Sequence, residues 1–238
     1  MARGTCLFER EHHRRIGHVL AALDGDVLRA ANCLFGGGTA MALRYGEYRE
    51  SIDIDFLVSD IANYRQLRQQ LTGADGIRAL AREGAALTQA REVRADQYGI
   101  RTIIESEGTA IKFEIVLEAR LKLLPPTAQD TLCGVATLTP LDMAATKLLA
   151  NSDRWMDDSV FSRDLIDLAM MQPKPQLMRQ ARERAMTAYG ESIDADLRRA
   201  IERLFDRNGR LERCIEVMQM RTPPALLRQR IQRLLPKS

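Results

Sequence analysis

The spacing of apolar and polar residues differs between two parts of the chain, and the pattern changes near residue 138. Before that point, helical spacing alternates with short strand-like runs, and glycine-rich turns separate them. After it, helical spacing continues to the end and is interrupted at Gly190, at Gly209 and at the Pro223–Pro224 pair. The pattern therefore predicts an α+β domain with a mixed sheet over residues 1–138 and a helical domain over residues 139–238.

The elements of the first domain follow from the same patterns. Helical spacing covers residues 10–32 with a break at Asp24–Asp26, and strict alternation over 51–58 predicts a strand. Residues 73–99 show no clean period and receive no assignment. The remaining predicted elements are a short apolar strand at 33–35, helices at 39–45 and 62–71, strands at 100–105 and 111–117, and a short strand within 132–138.

The second domain begins with clear helix-start signals. Thr139 is a suitable N-cap, Pro140 suits the first helical position, and Asp142 falls at the capping-box position. The predicted helices cover residues 140–152, 158–171, 175–189, 194–207, 209–220 and 224–235.

Composition places the chain among soluble globular proteins, with 45% apolar and 28% charged residues. No apolar run approaches the roughly 20 residues that span a bilayer, so no membrane partner is expected. The first residues lack the apolar segment of a secretory signal, and the four cysteines are scattered without a CxxC pair. These features predict a cytoplasmic protein without a disulfide framework or zinc ribbon.

The net charge is +3, but basic and acidic residues are distributed unevenly along the chain. Residues 172–238 hold 15 Lys and Arg against 8 Asp and Glu, whereas residues 1–171 hold 20 against 24. A basic helical region suits an acidic partner such as RNA, because phosphate neutralisation releases counterions. The alternative is a solvated, arginine-rich helical surface without a partner.

Two carboxylates share one face of the predicted strand 51–58. Alternation directs the other set of side chains to the core: Ile52, Ile54 and Phe56. Asp53 and Asp55 repel each other, and a bound Mg²⁺ or Mn²⁺ would relieve that repulsion. If strand 111–117 pairs beside this one, Glu114 joins them, and three carboxylates can hold two metal ions for nucleotidyl transfer. The alternatives are an exposed strand face and, for Glu114, a surface salt bridge with Lys112.

A glycine run, Gly36–Gly38, lies between a predicted strand and a predicted helix. Glycine allows close backbone approach and unusual dihedral angles. The backbone N–H groups of Gly38 and Thr39 would then stand at a helix N-terminus, which favours a triphosphate. The spacing matches neither a Walker A loop nor a GxGxxG fingerprint.

The run GGTAMALRYGEYRESIDIDF resembles the signature of polymerase-β-type nucleotidyltransferases, and within them the AbiEii/AbiGii toxin family. That family shows a Gly-Gly-Thr-Ala-Leu turn, an Arg-x-Ser and then Asp-Ile-Asp-Phe. The resemblance extends to Ile111–Glu114, Leu141–Leu148 and Arg163–Leu168, and so covers about residues 33–170.

The resemblance implies a polymerase-β-like domain followed by helices, and the catalytic half of a type IV toxin–antitoxin pair. Such toxins use a nucleoside triphosphate and Mg²⁺, and some relatives add nucleotides to the 3′ end of tRNA. A cognate antitoxin is a further implied partner. We therefore expect a nucleotidyltransferase that transfers a nucleoside monophosphate to an acceptor hydroxyl, with an RNA (tRNA) 3′ end as the acceptor.

The resemblance also assigns roles to particular residues. Lys147 matches the lysine that meets the triphosphate, and Asp164 matches the acid of the last motif. Arg49 and Ser51 are expected to lie close to the metal face and to bind substrate. The remaining matches are the phosphate-gripping turn Gly37, Gly38 and Thr39, the metal pair Asp53 and Asp55, and Glu114 on the third-carboxylate strand.

The chain departs from the family pattern in two places. The gap from Gly38 to Asp53 is somewhat long, and Trp155–Asp158 extends the stretch before Asp164. The second departure leaves open whether Asp164 or Asp167, one helical turn later, is the functional acid. Snorkelling from an amphipathic helix is an alternative for Lys147, and surface pairing is one for the two acids.

Two other functions remain as alternatives at this stage. One is transfer to a small-molecule or protein hydroxyl. The other is a nucleotide-binding regulator that has lost turnover.

Overall fold

Two units share the chain, which the computed structural model describes over residues 8–235. Unit 1 comprises Met1–Glu47 and Ser51–Thr139, and unit 2 comprises Tyr48–Glu50 and Pro140–Ser238. The chain thus enters unit 2 for three residues before it returns to unit 1, which the sequence pattern did not predict. Over residues 8–235, no helix has the length and apolarity that crossing a membrane requires.

Unit 1 is built on a five-stranded mixed sheet, which confirms the predicted fold class. The sheet order is β1-β2-β5-β4-β3, and β2 and β5 run parallel while the other neighbours are antiparallel. The strands are β1 (Leu34–Gly36), β2 (Ile54–Val58), β3 (Thr88–Ala95), β4 (Gly99–Ser106) and β5 (Thr109–Leu117). The helices are α1 (Glu11–Ala22), α2 (Gly25–Ala30), α3 (Gly37–Arg44) and α4 (Ile61–Leu71). The unit also contains a 3-10 helix (Gly76–Leu80) and a two-stranded sheet of β6 (Thr131–Leu132) and β7 (Val135–Ala136).

An aromatic row, Phe35, Phe56 and Phe113, joins the three strands β1, β2 and β5. The ring centroids are 5.5 Å apart between Phe35 and Phe56, and 5.6 Å apart between Phe56 and Phe113. All three side chains are buried in the core. Because side chains alternate along a strand, this packing turns Asp55 to the opposite face of the sheet.

Unit 2 consists of helices that gather around its first one, α5, as the periodicity predicts. Helix α5 packs against α6, α7 and α8. The helices are α5 (Pro140–Arg154), α6 (Arg163–Met171), α7 (Pro175–Tyr189), α8 (Ser192–Asp206), α9 (Arg210–Val217) and α10 (Pro224–Gln232).

The structure corrects the expected strand 51–58, because pairing begins only at Ile54. Ile52, expected in the core, is 55% exposed. The alternation of residues 51–53 resembles that of a strand, but these residues form a loop beside the sheet. Ser51 is held there by His13, whose Nε2 accepts a hydrogen bond from the Ser51 N–H at 3.2 Å.

Three further expectations need correction. The unassigned residues 73–99 contain β3, an edge strand whose residues are mostly exposed and whose pairing is interrupted by register shifts, so it shows no period of two. The predicted helix 158–171 is divided, because Phe161 and Ser162 adopt left-handed backbone conformations before α6 begins. Cys133 forms a disulfide, whereas Cys33 and Cys214 are free and buried.

We predict that Phe56→Ala lowers the free energy of unfolding by about 3–5 kcal/mol, because it removes the central ring of the aromatic row. Tyr98→Ala, at a side chain that is 66% exposed, is the matched control and should change it by less than about 0.5 kcal/mol. Urea denaturation followed by circular dichroism measures both. Equal effects of the two substitutions would contradict the central place of Phe56.

Candidate active site

Asp55 and Glu114 are direct neighbours across the parallel pair β2 and β5. Their Cα atoms are register partners, and Gly36 of β1 stands opposite Asp55 on its other side. Partners in adjacent strands point to the same face of a sheet, so both carboxylates lie on the face away from the aromatic row. Asp53 precedes β2 by one residue and is partly exposed. The neighbourhood expected from the sequence is therefore present for Asp55 and Glu114.

Glu114 is held by two cationic side chains on the sheet. Arg101 Nε of β4 donates to Glu114 Oε1 at 2.6 Å, and Lys112 Nζ lies 2.7 Å from Glu114 Oε2. Within residues 8–235, no group of three acidic, histidine or cysteine side chains is arranged to hold a metal ion. The expected three-carboxylate centre is therefore not grouped in this part of the chain, and each oxygen of Glu114 takes part in an ion pair.

Lys112 lies in the combined field of all three acids. Its hydrogen bond to Glu114 raises the pKa of the Lys112 ammonium, and the negative charges of Asp55 and Asp53 add to the effect. The Lys112 side chain is 50% exposed, so it is free to exchange its partners. The positive charge of Lys112 thus already interacts with the carboxylates that a divalent ion would bind.

The chemistry of Asp53 and Asp55 fits Mg²⁺ or Mn²⁺. Both are hard oxygen donors, and Mg²⁺ is commonly bound by one or two carboxylates together with substrate phosphates. The charges of both acids contribute to the raised pKa of Lys112. Together with substrate phosphates, these two carboxylates would suit such an ion.

The glycine turn brings the start of α3 against Asp55. Gly37 has a φ of +67°, and a Cβ atom placed on it would lie 2.6 Å from Asp55 Oδ2. Only glycine fits both the dihedral angle and the space. Helix α3 begins at Gly37, and Gly37 and Gly38 are partly exposed. The first-turn N–H groups of a helix lack intrahelical partners and favour anions, so this turn can bind phosphate.

Thr39 and Ser51 are joined by their side chains. Their hydroxyl oxygens are 2.8 Å apart, and the Thr39 side chain is buried. The contact fixes the loop that leads into Asp53 against the first turn of α3. Ser51 therefore lies beside the first turn of α3.

His13 is a positioning residue that sequence reasoning missed. Its fully buried ring contacts Glu47 Oε1 through Nδ1 at 2.7 Å and accepts from the Ser51 N–H through Nε2. The second contact makes Nδ1 the protonated nitrogen in the neutral ring. His13 stands among polar residues of α1, 38 positions before Ser51, so no local spacing indicates the contact.

Asp167 is the centre of a buried ion-pair cluster in unit 2. Arg49 donates to both of its oxygens, from Nε at 2.6 Å and from Nη2 at 2.9 Å. The Tyr48 hydroxyl donates to Asp167 at 2.7 Å, and Lys147 Nζ lies 2.6 Å from the same carboxylate. This explains why Tyr48–Glu50 belong to unit 2. Arg49, for which the sequence predicts a place close to the metal face, is buried and paired with Asp167.

Asp164 extends the same cluster. Lys147 Nζ donates to Asp164 Oδ1 at 3.0 Å, and Arg154 donates to both oxygens at 2.7 and 3.0 Å. Lys147 is almost fully buried, so snorkelling into solvent does not describe it. The structure brings Lys147, Asp164 and Asp167 together, and neither acid is an exposed surface residue.

The buried ion-pair cluster around Asp167 shifts the pKa values of the residues in it. Burial alone would raise the pKa of Asp167, but Arg49 and Lys147 outweigh it and hold that pKa below its ordinary value. For Asp164, Lys147 and Arg154 outweigh burial in the same way and hold the pKa well below its usual range. Both acids are therefore ionised at neutral pH. Burial, with the nearby charge of Asp167, raises the pKa of Tyr48.

The sequence-predicted residues thus form two groups. The group in unit 2 is the ion-pair cluster of Arg49, Lys147, Asp164 and Asp167. The group in unit 1 comprises Gly37, Gly38, Thr39, Ser51, Asp53, Asp55 and Glu114.

Comparison with known proteins identifies the family of the chain. A family model described as "Nucleotidyl transferase AbiEii toxin, Type IV TA system" matches residues 18–234. The chain belongs to the AbiEii family. It is therefore a nucleotidyltransferase of the toxin class found in type IV toxin–antitoxin systems. No curated protein matches the AbiEii chain described here.

Solved structures resemble this AbiEii protein in fold. JHP933 from Helicobacter pylori is similar with a TM-score of 0.52 and 14% identity, over 96% of this chain and 93% of that one. A second H. pylori protein, provisionally described as a nucleotidyltransferase, has a TM-score of 0.45 and 14% identity, over 97% of this chain and 100% of that one. At this identity the first likeness concerns the fold alone.

We predict that Asp167→Asn destabilises unit 2 by about 3–5 kcal/mol at neutral pH, because Arg49 and Lys147 lose a buried partner. The pKa of Asp167 is lowered on folding, so its contribution is complete above the unfolded value of about 3.9. It is lost as the pH falls through the folded pKa, so wild type and variant should converge in acid.

The fluorescence of Trp155, the single tryptophan, reports the unfolding of unit 2 specifically. Asp206→Asn, at an exposed acid of α8, is the control and should change stability by less than about 0.5 kcal/mol. A difference between wild type and Asp167→Asn that stays constant down to pH 2 would refute the assigned linkage.

We predict that Lys112→Gln tightens Mn²⁺ binding by roughly threefold or more, because it removes a positive charge from the field of Asp53 and Asp55. Electron paramagnetic resonance of free Mn²⁺ measures the affinity without nucleotide. Arg65→Gln, which removes the same charge from an exposed position on α4, should leave it unchanged. Unchanged or weaker binding in Lys112→Gln would show that Lys112 does not compete with the metal.

Proposed function

We propose that this AbiEii protein transfers a nucleoside monophosphate from a nucleoside triphosphate to the 3′ end of an RNA, of which tRNA is the leading candidate. The observation that carries the proposal is the register of β2 and β5, with Asp55 beside Glu114 and against Gly37. In a member of a nucleotidyltransferase family, neighbouring carboxylates beside the glycine turn at the start of α3 support a role in metal and triphosphate binding.

Asp53 and Asp55 would hold a divalent ion, Mg²⁺ or Mn²⁺. When bound, the metal supplies charge neutralisation for the triphosphate and lowers the pKa of an acceptor hydroxyl. The protein's own contribution is positioning. The N–H groups of Gly37, Gly38 and Thr39 bind phosphate oxygens and orient the nucleotide for attack on the α-phosphorus, with pyrophosphate as the leaving group.

Glu114 supports this pair through its ion pairs. By holding Arg101 and Lys112 at its two oxygens, it keeps two cationic donors beside the acidic residues. Lys112 is half-exposed and is suited to pair with phosphate oxygens once a metal occupies the acidic pair. Glu114 would serve as a third metal ligand through Oε2 once Lys112 leaves that oxygen.

The role that the family resemblance implies for Lys147 and Asp164 has electrostatic support. Lys147 is held between Asp164 and Asp167, while Arg49 pairs with Asp167 and Arg154 pairs with Asp164 and also feels the charge of Asp153. This network fixes the Lys147 ammonium, and we propose that the ammonium meets the triphosphate. The two acids act together in this role, because Lys147 contacts both of them.

The acceptor assignment rests on charge. Residues 172–238 carry seven more basic than acidic side chains, as the 15 Lys and Arg and 8 Asp and Glu show. A surface of this kind favours a polyanion, and RNA is the polyanion that nucleotidyl transfer can use as an acceptor. A cognate antitoxin is the partner that membership of a type IV system implies.

We predict that the purified protein transfers label from at least one α-labelled nucleoside triphosphate to total RNA in the presence of Mg²⁺. Asp55→Asn should lower the rate at least about 100-fold, because it removes one of two metal-binding carboxylates. Asp75→Asn, at an exposed acid outside the site, should keep wild-type activity. Gel electrophoresis with autoradiography gives both the rate and the labelled molecule.

The same assay separates the alternatives. Label on protein or on a small molecule, with RNA unlabelled, would replace the acceptor and keep the transfer reaction. Nucleotide binding that is unchanged in Asp53→Asn, with no product from the wild-type protein, would identify a regulator without turnover and overturn the proposal.

A further inference from the structure

Three arginines of unit 2 converge on a single carboxylate, that of Asp158. Arg203 Nη2 lies 2.9 Å and Arg210 Nη2 lies 3.0 Å from Asp158 Oδ1, and Arg207 Nη1 lies 2.7 Å from Oδ2. Arg203 and Arg207 come from the end of α8 and the residue that follows it, and Arg210 begins α9. Asp158 belongs to the 3-10 segment before α6.

One carboxylate cannot neutralise three guanidinium groups, so this arginine cluster (Arg203, Arg207 and Arg210) keeps a local excess of two positive charges. The carboxylate of the neighbouring acid, Asp157, accepts hydrogen bonds from the N–H and the hydroxyl of Ser159 at 2.8 and 2.7 Å, and none of the three arginines makes an ion pair with it. Like charges held this closely repel, and a second anion would stabilise them.

The cluster also has more hydrogen-bond donors than Asp158 can satisfy. The Nε atoms of Arg203 and Arg210 are buried without a hydrogen-bond partner, so a ligand reaches the cluster through its outer guanidinium nitrogens. A carboxylate offers two oxygens, whereas the phosphodiester chain of a nucleic acid offers a series of charged oxygens that arginine contacts well. Arg207, whose side chain is 45% exposed, is the most accessible of the three arginines.

Another anion can displace Asp158 from the arginine cluster. The Asp158 side chain is 49% exposed and that of Arg207 is 45% exposed, so solvent and ligands reach the contact. Because Asp158 joins three ion pairs, an incoming anion must replace all three contacts. Trp155–Asp158, the segment that extends the chain relative to the family pattern, thus delivers a negative charge to a basic surface.

We propose that the arginine cluster binds backbone phosphates of the RNA substrate, and that Asp158 occupies it when RNA is absent. The inference rests on the proposed RNA acceptor and deepens it by naming the residues that contact the RNA. RNA is favoured over an acidic protein because the basic excess extends over residues 172–238, which suits a long polyanion.

The test measures binding of labelled total tRNA at several salt concentrations, without nucleotide and in an Asp55→Asn background, so that transfer plays no part. The double substitution Arg203→Gln/Arg207→Gln should weaken binding at least about fivefold and lower the salt slope by about 1.4–1.8, the value for two lost phosphate contacts. Asp158→Asn should tighten binding about threefold, because it removes the competing anion.

The matched control is Arg179→Gln/Arg198→Gln, which removes the same charge from exposed positions on α7 and α8. An equal loss in the control, or Asp158→Asn that binds no more tightly while Trp155 fluorescence shows a folded unit 2, would overturn the proposal. Polyglutamate that binds the cluster more tightly than tRNA would overturn it in favour of an acidic protein partner.

This experiment is separable from the transfer assay. If wild-type protein labels RNA while the arginine substitutions leave tRNA binding unchanged, the inference fails and the proposed function stands. If cluster-dependent tRNA binding is found without any transfer, the catalytic proposal fails and the binding surface stands.

Discussion

The register between β2 and β5 is the constraint on which the candidate site depends. A shift of one residue would turn Asp55 toward the core and leave it away from Glu114. The aromatic row prevents that shift, because Phe35, Phe56 and Phe113 pack in sequence across three strands on the buried face. Apolar packing on one side of the sheet thus determines which charges meet on the other. Gly37 then brings a helix start against the same carboxylate.

The protein balances the negative charge of its clustered acidic side chains in two different ways. In unit 1, Glu114 is balanced by Arg101 and Lys112, whose side chains are 40% and 50% exposed and can change partners. In unit 2, Asp167 is fully buried and is held in a two-point contact by Arg49. The first arrangement suits a site where ligands enter and charges are exchanged. The second suits a rigid cluster, since breaking a buried pair is costly.

Much of the fold and part of the site follow from local sequence patterns. The alternation of β2, the glycine turn and the face of Glu114 on β5 depend on neighbouring residues, and all three are read directly from spacing. The helical second half follows from periodicity and from its proline and glycine breaks. These features require no knowledge of distant contacts.

Other features depend on residues that are distant in sequence. Ile52 continues the alternation of β2, yet it lies in a loop that His13 holds through Ser51. The burial of Arg49 is decided by Asp167, 118 residues later. The edge strand β3 lacks alternation because neither of its faces is well covered. Pattern alone cannot specify such contacts, because each partner is polar and has a plausible local role in isolation.

Asp53 and Asp55, beside the glycine turn, are proposed to bind metal and nucleotide together. A crystal structure with Mn²⁺ and a non-hydrolysable nucleoside triphosphate analogue would test this binding, because Mn²⁺ gives an anomalous signal. We expect an anomalous peak within ligand distance of the Asp53 and Asp55 carboxylates, with phosphate oxygens at the N–H groups of Gly37–Thr39. A peak elsewhere, with no density at these residues, would contradict it.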